Sequence, residues 1–148
     1  MSLAERLRED VKQAMRAGDK ARLGTLRMAM AAIKQREVDE RIALDDAQIT
    51  HVLQKMIRQR QDSMTQFEAG GRTDLVEKER SEIGVLQAYL PQALSDEELQ
   101  AVIESAIVAT GASSPKDMSR VMAEVKARTQ GRADLSAVSA RVRARLSR

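Results

Sequence analysis

The sequence predicts an all-α fold, with a long-helix antiparallel N-terminal domain followed by a small three-helix C-terminal domain. Apolar residues make up 43% of the 148 residues, which is enough to build a core. Aromatic residues make up only 1% and charged residues 32%. A core of aliphatic side chains with almost no rings suits helix packing better than a sheet, where aromatic and β-branched residues dominate.

The first two helices are indicated by their end signals. Ser2 and Glu5 have the spacing of a capping box, and Gly18 predicts the end of the first helix. Asp19 predicts the cap of a second helix that runs to about Arg41. Apolar residues recur along it at steps of three and four, the spacing of one helical stripe: Leu23, Leu26, Met30 and Ile33.

Two further helices complete the predicted N-terminal domain. Asp45 predicts the start of the third helix, Gly70 and Gly71 its end, and about Thr73 the start of the fourth. Short links between long helices favour antiparallel neighbours. Pro91 then restricts Leu90 to a non-helical backbone, which predicts a boundary between domains 1–92 and 93–148.

The C-terminal part has signals for three short helices. Ser95 and Glu98 form a second capping box, and Gly111 predicts the end of that helix. Ser114 and Pro115 predict the start of the next helix. The remaining signals are Gly131 as its end and Asp134 as the cap of the last helix.

No set of residues in the sequence predicts catalysis. The one histidine, His51, has no second histidine or cysteine with which to share a metal, and an exposed helical residue is the simpler interpretation. The absence of cysteine excludes disulfides, thiolate metal sites and a cysteine nucleophile. Gly70, Gly71 and Arg72 lack the ending of a nucleotide-binding loop. We therefore predict no catalytic residue, no metal ligand and no cofactor.

Basic residues concentrate toward the carboxyl end of a chain whose net charge is +3. On a helix, Arg141, Arg145 and Arg148 fall at steps of four and three, which predicts one exposed stripe opposite the apolar side. The candidate nucleic-acid-binding residues are Lys116, Arg120, Arg132, Arg141, Arg145 and Arg148. An ordinary solvated helix face gives the same pattern, so composition alone leaves both interpretations open.

Several short stretches together carry a resemblance to a known family. They are residues 23–27, 58–63, 71–75, 89–91, 94–98, 117–122 and 131–134. In their order and spacing the chain resembles the YqeY family of the GatB/YqeY group, over nearly its whole length. Ser119 departs from the family pattern, which often has glycine after the Asp-Met pair.

The resemblance implies that the C-terminal domain is similar to the tail of the B subunit of the tRNA-dependent amidotransferase. In that enzyme the tail helps to engage tRNA, while other domains transfer the amide. The resemblance thus favours a non-catalytic RNA-binding accessory module with tRNA or another structured RNA as partner. Two alternatives stay open: glutamine-dependent amide transfer on aminoacyl-tRNA as a carbon–nitrogen ligase, and a helical adaptor whose apolar stripes dock a protein. Proteins of aminoacyl-tRNA metabolism are further candidate partners.

The sequence also predicts a location. Charged residues Glu5 and Arg6 stand where a secretory signal needs an apolar run, and no window approaches the roughly 18 apolar residues of a membrane span. We expect a cytoplasmic protein without a membrane partner.

Overall fold

A computed structural model describes residues 1–148, and they are all-helical, which confirms the predicted fold class. The chain forms two compact units, Met1–Leu90 and Pro91–Arg148. Unit 1 contains four α-helices: α1 (Leu3–Ala17), α2 (Lys20–Glu40), α3 (Asp46–Ala69) and α4 (Thr73–Gln87). Unit 2 contains α5 (Asp96–Thr110), a 3-10 turn (Pro115–Asp117), α6 (Met118–Thr129) and α7 (Leu135–Leu146).

The predicted capping boxes begin the helices as expected. The Ser2 hydroxyl accepts from the Glu5 amide at 3.1 Å, and the Ser95 hydroxyl accepts from the Glu98 amide at 3.1 Å. Gly18 ends α1 in the left-handed conformation with φ 67°. Glycine adopts this conformation without a Cβ penalty. Local signals alone therefore locate these helix ends.

The start of α6 differs from the prediction. Pro115 opens a 3-10 turn, and the α-helix itself begins only at Met118. The Asp117 carboxylate accepts from the backbone amides of Ser113 at 2.9 Å and Ser114 at 3.3 Å. These two bonds satisfy the amides before the helix, so the first turn is closed by Asp117 in a tighter geometry.

Each unit has an aliphatic core of its own. In unit 1, Leu7, Leu26, Leu53 and Leu86 are fully buried, one from each helix. In unit 2, Ile103, Val121 and Val142 are fully buried. Each helix thus contributes an apolar stripe to the core of its own unit. No helix of the chain combines the length and the hydropathy that a membrane crossing requires.

Tyr89 fastens the end of unit 1 to its first two helices. Its ring is only 5% exposed, and its hydroxyl donates to the Asp10 carboxylate. Arg22 lies 3.6 Å from that carboxylate, and the Arg6 guanidinium lies 4.9 Å from the ring centroid. Burial, followed by the bond to Asp10, raises the pKa of Tyr89 to about 12.

Because Tyr89 is the one tyrosine and tryptophan is absent, its ionisation is directly visible by ultraviolet absorbance. We predict a midpoint of about 12 in the folded protein, against the ordinary 10.0. The contribution of the buried Tyr89 hydroxyl to the free energy of unfolding is therefore complete below the pKa of Tyr89 in the unfolded chain. It is lost as pH rises through the pKa of Tyr89 in the folded protein. Asp10→Asn should lower the midpoint. An absorbance midpoint near 10 in the folded wild-type chain would show that this contact does not form.

Candidate functional site

The six predicted nucleic-acid-binding residues all lie in unit 2. Arg141 and Arg145 project from α7 toward α5. Arg145 Nε donates to Glu104 Oε1 at 2.7 Å and its Nη2 to Oε2 at 3.2 Å, a two-pronged contact. Arg141 Nη2 donates to Gln100 Oε1 at 3.0 Å, and its Nη1 lies 3.5 Å from Asp96 Oδ1. These two arginines therefore connect two helices of the unit.

The predicted exposed stripe on α7 is not what the structure has. Successive residues of a helix turn by about 100°, so Arg141 and Arg145 lie only about 100° and 60° from Val142. Val142 is fully buried. The arginines thus border the core-facing side and meet the carboxylates of α5. Both are partly exposed, with a third of each side chain accessible.

Two further predicted residues also have acidic partners. Arg120 contacts the Asp117 carboxylate and donates to the Thr110 carbonyl at 3.0 Å. Arg132 Nε donates to the Gln92 carbonyl at 2.8 Å, and its Nη2 lies 4.0 Å from the Glu98 carboxylate. Lys116 and Arg148 remain exposed and have no acid within ion-pair distance, although the charge of Arg148 adds to the lowering of the Glu104 pKa. The structure does not gather the six cations into one unpaired surface.

Arg143 and Lys126 are exposed, unpaired cations that the sequence reasoning passed over. Arg143 lies on α7 between the two paired arginines, turned about 160° from Arg145. Arg141 and Arg143 both lie about 100° from the buried Val142, on opposite sides of it, and only the position of α5 beside Arg141 distinguishes them. The available cations of unit 2 are Lys116, Lys126, Arg143 and Arg148.

The paired carboxyl groups are held in their charged form. The bond from Arg145 lowers the pKa of Glu104 below its ordinary value. The amide of Ser113, followed by the Arg120 guanidinium, lowers the pKa of Asp117. The backbone bond of Ser95 lowers the pKa of Glu98. These acids therefore stay ionised and oppose the positive field of the arginines beside them.

The other sequence candidates lie in unit 1. His51 lines a groove of about 480 Å³ between α2 and α3, together with Arg36, Lys55 and Met56. No group of three or more His, Cys, Asp or Glu side chains in the chain is placed to hold a metal ion. Arg72, after the glycine pair, makes a two-pronged contact with Asp74 at 3.2 and 3.1 Å. Its guanidinium is thus already occupied by a carboxylate.

Comparison with known proteins identifies the family. The family described as "Yqey-like protein" matches residues 4–146. The chain belongs to this family, which confirms the resemblance predicted from the sequence. The match covers both compact units, so family membership describes unit 1 and unit 2 alike.

Curated relatives of the chain carry the name "Altered inheritance of mitochondria protein 41, mitochondrial". The one from Lachancea thermotolerans is 36% identical over 112 residues, which is 74% of this chain and 60% of that protein. The one from Kluyveromyces lactis is 41% identical over 95 residues, 62% of this chain and 51% of that protein. The one from Pyrenophora tritici-repentis is 31% identical over 128 residues, which is 83% of this chain and 71% of that protein. The chain thus spans half to three fifths of the first two.

These names correct the expected location. The curated relatives are mitochondrial proteins by name, so the prediction of a cytoplasmic protein was wrong. The prediction depended on the absence of a secretory signal and of a membrane span. Neither absence selects the cytoplasm among the compartments of a cell.

The pairing of Glu104 with Arg145 predicts a selective pKa change. Arg145→Gln should raise the pKa of the Glu104 carboxyl group toward its ordinary value, because the largest cause of its depression is removed. Arg143→Gln, two residues away on the same helix, is the matched control and should leave that pKa unchanged. Carboxyl-selective NMR titration measures both. Equal shifts in the two variants would contradict the contact, since only a general charge effect would then be acting.

Proposed function

We propose that this member of the YqeY-like family is a non-catalytic accessory module that binds structured RNA, tRNA among the candidates. The observation that carries the proposal is the charge left after internal pairing. Arginines of unit 2 neutralise Asp96, Glu98, Glu104, Asp117 and Glu124. The four cations Lys116, Lys126, Arg143 and Arg148 have no such partner.

Contacts with the sugar–phosphate backbone fit this surface better than stacking on bases. Stacking needs accessible rings. The chain has only Phe67 and Tyr89, and Tyr89 is buried with its hydroxyl bound to Asp10. Phosphate recognition by Lys and Arg needs no ring and is independent of sequence. The proposed activity is therefore recognition of RNA shape and charge.

The arginines of unit 2 that pair with carboxylates are also proposed to bind phosphate, by exchanging one partner for the other. An exposed ion pair contributes little to stability, so a phosphate can replace the carboxylate at small cost. Arginine binds a phosphate through two parallel bonds as it binds a carboxylate. Arg120, Arg132, Arg141 and Arg145 are proposed to contribute in this second way, after their acids release them.

Salt dependence tests the proposal. An unmodified tRNA transcript should bind the wild-type chain, and the affinity should fall steeply with salt, by about 0.7–0.9 in the log–log slope for each neutralised phosphate. The triple variant Lys116→Gln, Arg143→Gln, Arg148→Gln should weaken binding and flatten the slope. Fluorescence anisotropy at several salt concentrations measures both quantities.

The control variant removes three cations that already have acidic partners in unit 1: Lys12→Gln, Arg72→Gln, Arg80→Gln. It makes the same change in net charge and should retain more of the affinity. Absent or salt-independent binding by the wild-type chain would discard the proposal. Amide formation by the chain alone on misacylated tRNA with glutamine and ATP would contradict its non-catalytic part.

A variant that frees Arg145 from its carboxylate is predicted to bind RNA more tightly, whereas the variants above bind it more weakly. Glu104→Gln removes the carboxylate that holds Arg145 and also removes a negative charge from the surface. RNA affinity should rise. Glu9→Gln in unit 1 is the control, since it removes a similar exposed acid whose partner is Lys12. An unchanged or lower affinity in the Glu104 variant, measured by the same anisotropy titration, would exclude Arg145 from the contact.

A further inference from the structure

The outer face of α2 carries an uninterrupted row of unpaired cations. Lys20, Arg27 and Lys34 recur at intervals of seven residues, and Arg41 follows at the same interval as the residue that ends the helix. All four are exposed, and none has an acidic partner within ion-pair distance. We define these four residues as the α2 row.

Helical geometry places the α2 row on one side. Seven residues make almost two turns, so each step rotates the side chain by only about 20° and advances it by about 10.5 Å. The row is therefore about 31 Å long. The opposite side of α2 holds the buried residues Ala29 and Ile33. At the end of the row, Lys34 and Arg41 line one shallow hollow together with Glu37, Val38 and Ile42, which places the two cations on a common surface.

The residues between the cations have short, uncharged side chains or none. Gly24, Ala31 and Val38 alternate with the four cations, and all three are exposed. A side chain added at Gly24 would meet nothing within 4 Å, so the surface there is open. These three residues therefore add no charge between the four cations.

The acids of α2 and its caps are engaged elsewhere. Asp19 accepts from the Arg22 amide at the helix start, and Asp39 accepts from Gln35 at 2.9 Å. Glu40 is paired with Arg36, and Glu37 accepts from the Leu44 amide at 3.0 Å. Among these acids only Glu40 is in an ion pair, and none lies within ion-pair distance of a member of the α2 row, although Glu37 shares a hollow with Lys34 and Arg41. The contrast with α7 is direct, because the α7 arginines meet the carboxylates of α5.

We infer that the α2 row is a nucleic-acid contact surface, on which the sugar–phosphate backbone of a structured RNA lies along the helix. This inference rests on the proposed function and assigns it a second surface, in unit 1. The row is cationic along its length, with Glu37 the one acid that shares the hollow at its end, and such a row matches a polyanion of regular charge, whereas protein partners usually present both signs. A helix that lies in a membrane surface carries Trp, Phe or Leu on a wide apolar face, whereas the exposed large apolar side chains beside the α2 row are only Met28, Val38 and Ile42.

The test compares two triple variants with equal changes in net charge. Lys20→Gln, Arg27→Gln, Lys34→Gln removes three members of the α2 row. Lys12→Gln, Arg72→Gln, Arg80→Gln removes three paired cations of the same unit. With an unmodified tRNA transcript as probe, the first variant should bind about tenfold more weakly or worse, with a salt slope lower by about two to three, and the second should change far less.

A second pair of variants separates a loss of RNA binding from a loss of folding. Gly24→Ala and Gly24→Glu both replace a glycine in a helix interior with a better helix former. Since the position is open, both should fold, and circular dichroism on heating checks this. Gly24→Ala should bind the transcript like the wild type, because it adds no charge. Gly24→Glu should bind several-fold more weakly, because it places a carboxylate within the α2 row.

The outcomes separate this inference from the proposed function. If the wild-type chain does not bind the transcript, both fail. If it binds and the variants of the α2 row bind like their controls, the inference is overturned while the proposed function stands. Loss confined to the α2 variants supports the inference. Preferential binding of polyglutamate or of phosphatidylglycerol vesicles over the transcript, lost in the same variants, would assign the row to another partner and overturn it.

Discussion

The pairing of arginine with carboxylate between helices is the constraint that sets the surface charge of both units. In unit 1, Arg60 of α3 donates to Glu82 of α4 at 2.8 Å, and both side chains are only 13% exposed. In unit 2, Arg145 of α7 and Glu104 of α5 repeat the arrangement nearer the surface. Breaking a buried pair leaves an uncompensated charge, which costs far more than losing an exposed one. The same pairing decides which cations remain available to a partner.

The surface charge of this chain therefore depends on where each charged residue lies and which residue it pairs with, and composition does not describe it. A net charge of +3 describes the protein poorly. The last helix is rich in arginine, yet the acids of α5 neutralise two of its members. The second helix carries fewer cations per turn, yet none of those in the α2 row has an acidic partner. A polyanion responds to this local field, because screening confines electrostatic attraction to about 10 Å at ordinary salt.

The sequence predicts the helices well because their signals are local. The bond from the Glu98 amide to Ser95 spans three residues, and the left-handed turn at Gly111 needs only that glycine. The cation pairing is not local, since Arg145 and Glu104 are 41 positions apart. No periodicity in α7 reveals which acid another helix presents to it. The spacing of the α2 row is legible in the sequence, but the absence of acidic partners there depends on the fold.

Unpaired cations, and the α2 row above all, are proposed to face a structured RNA. Acetylation of lysines in the presence and absence of an unmodified tRNA transcript, read out by mass spectrometry, tests this proposal residue by residue. Lys20 and Lys34 should be protected by RNA, while Lys78, an exposed lysine on α4, should react equally in both conditions. If bound RNA left the acetylation of Lys20 and Lys34 unchanged, as it should leave that of Lys78, this result would contradict the account.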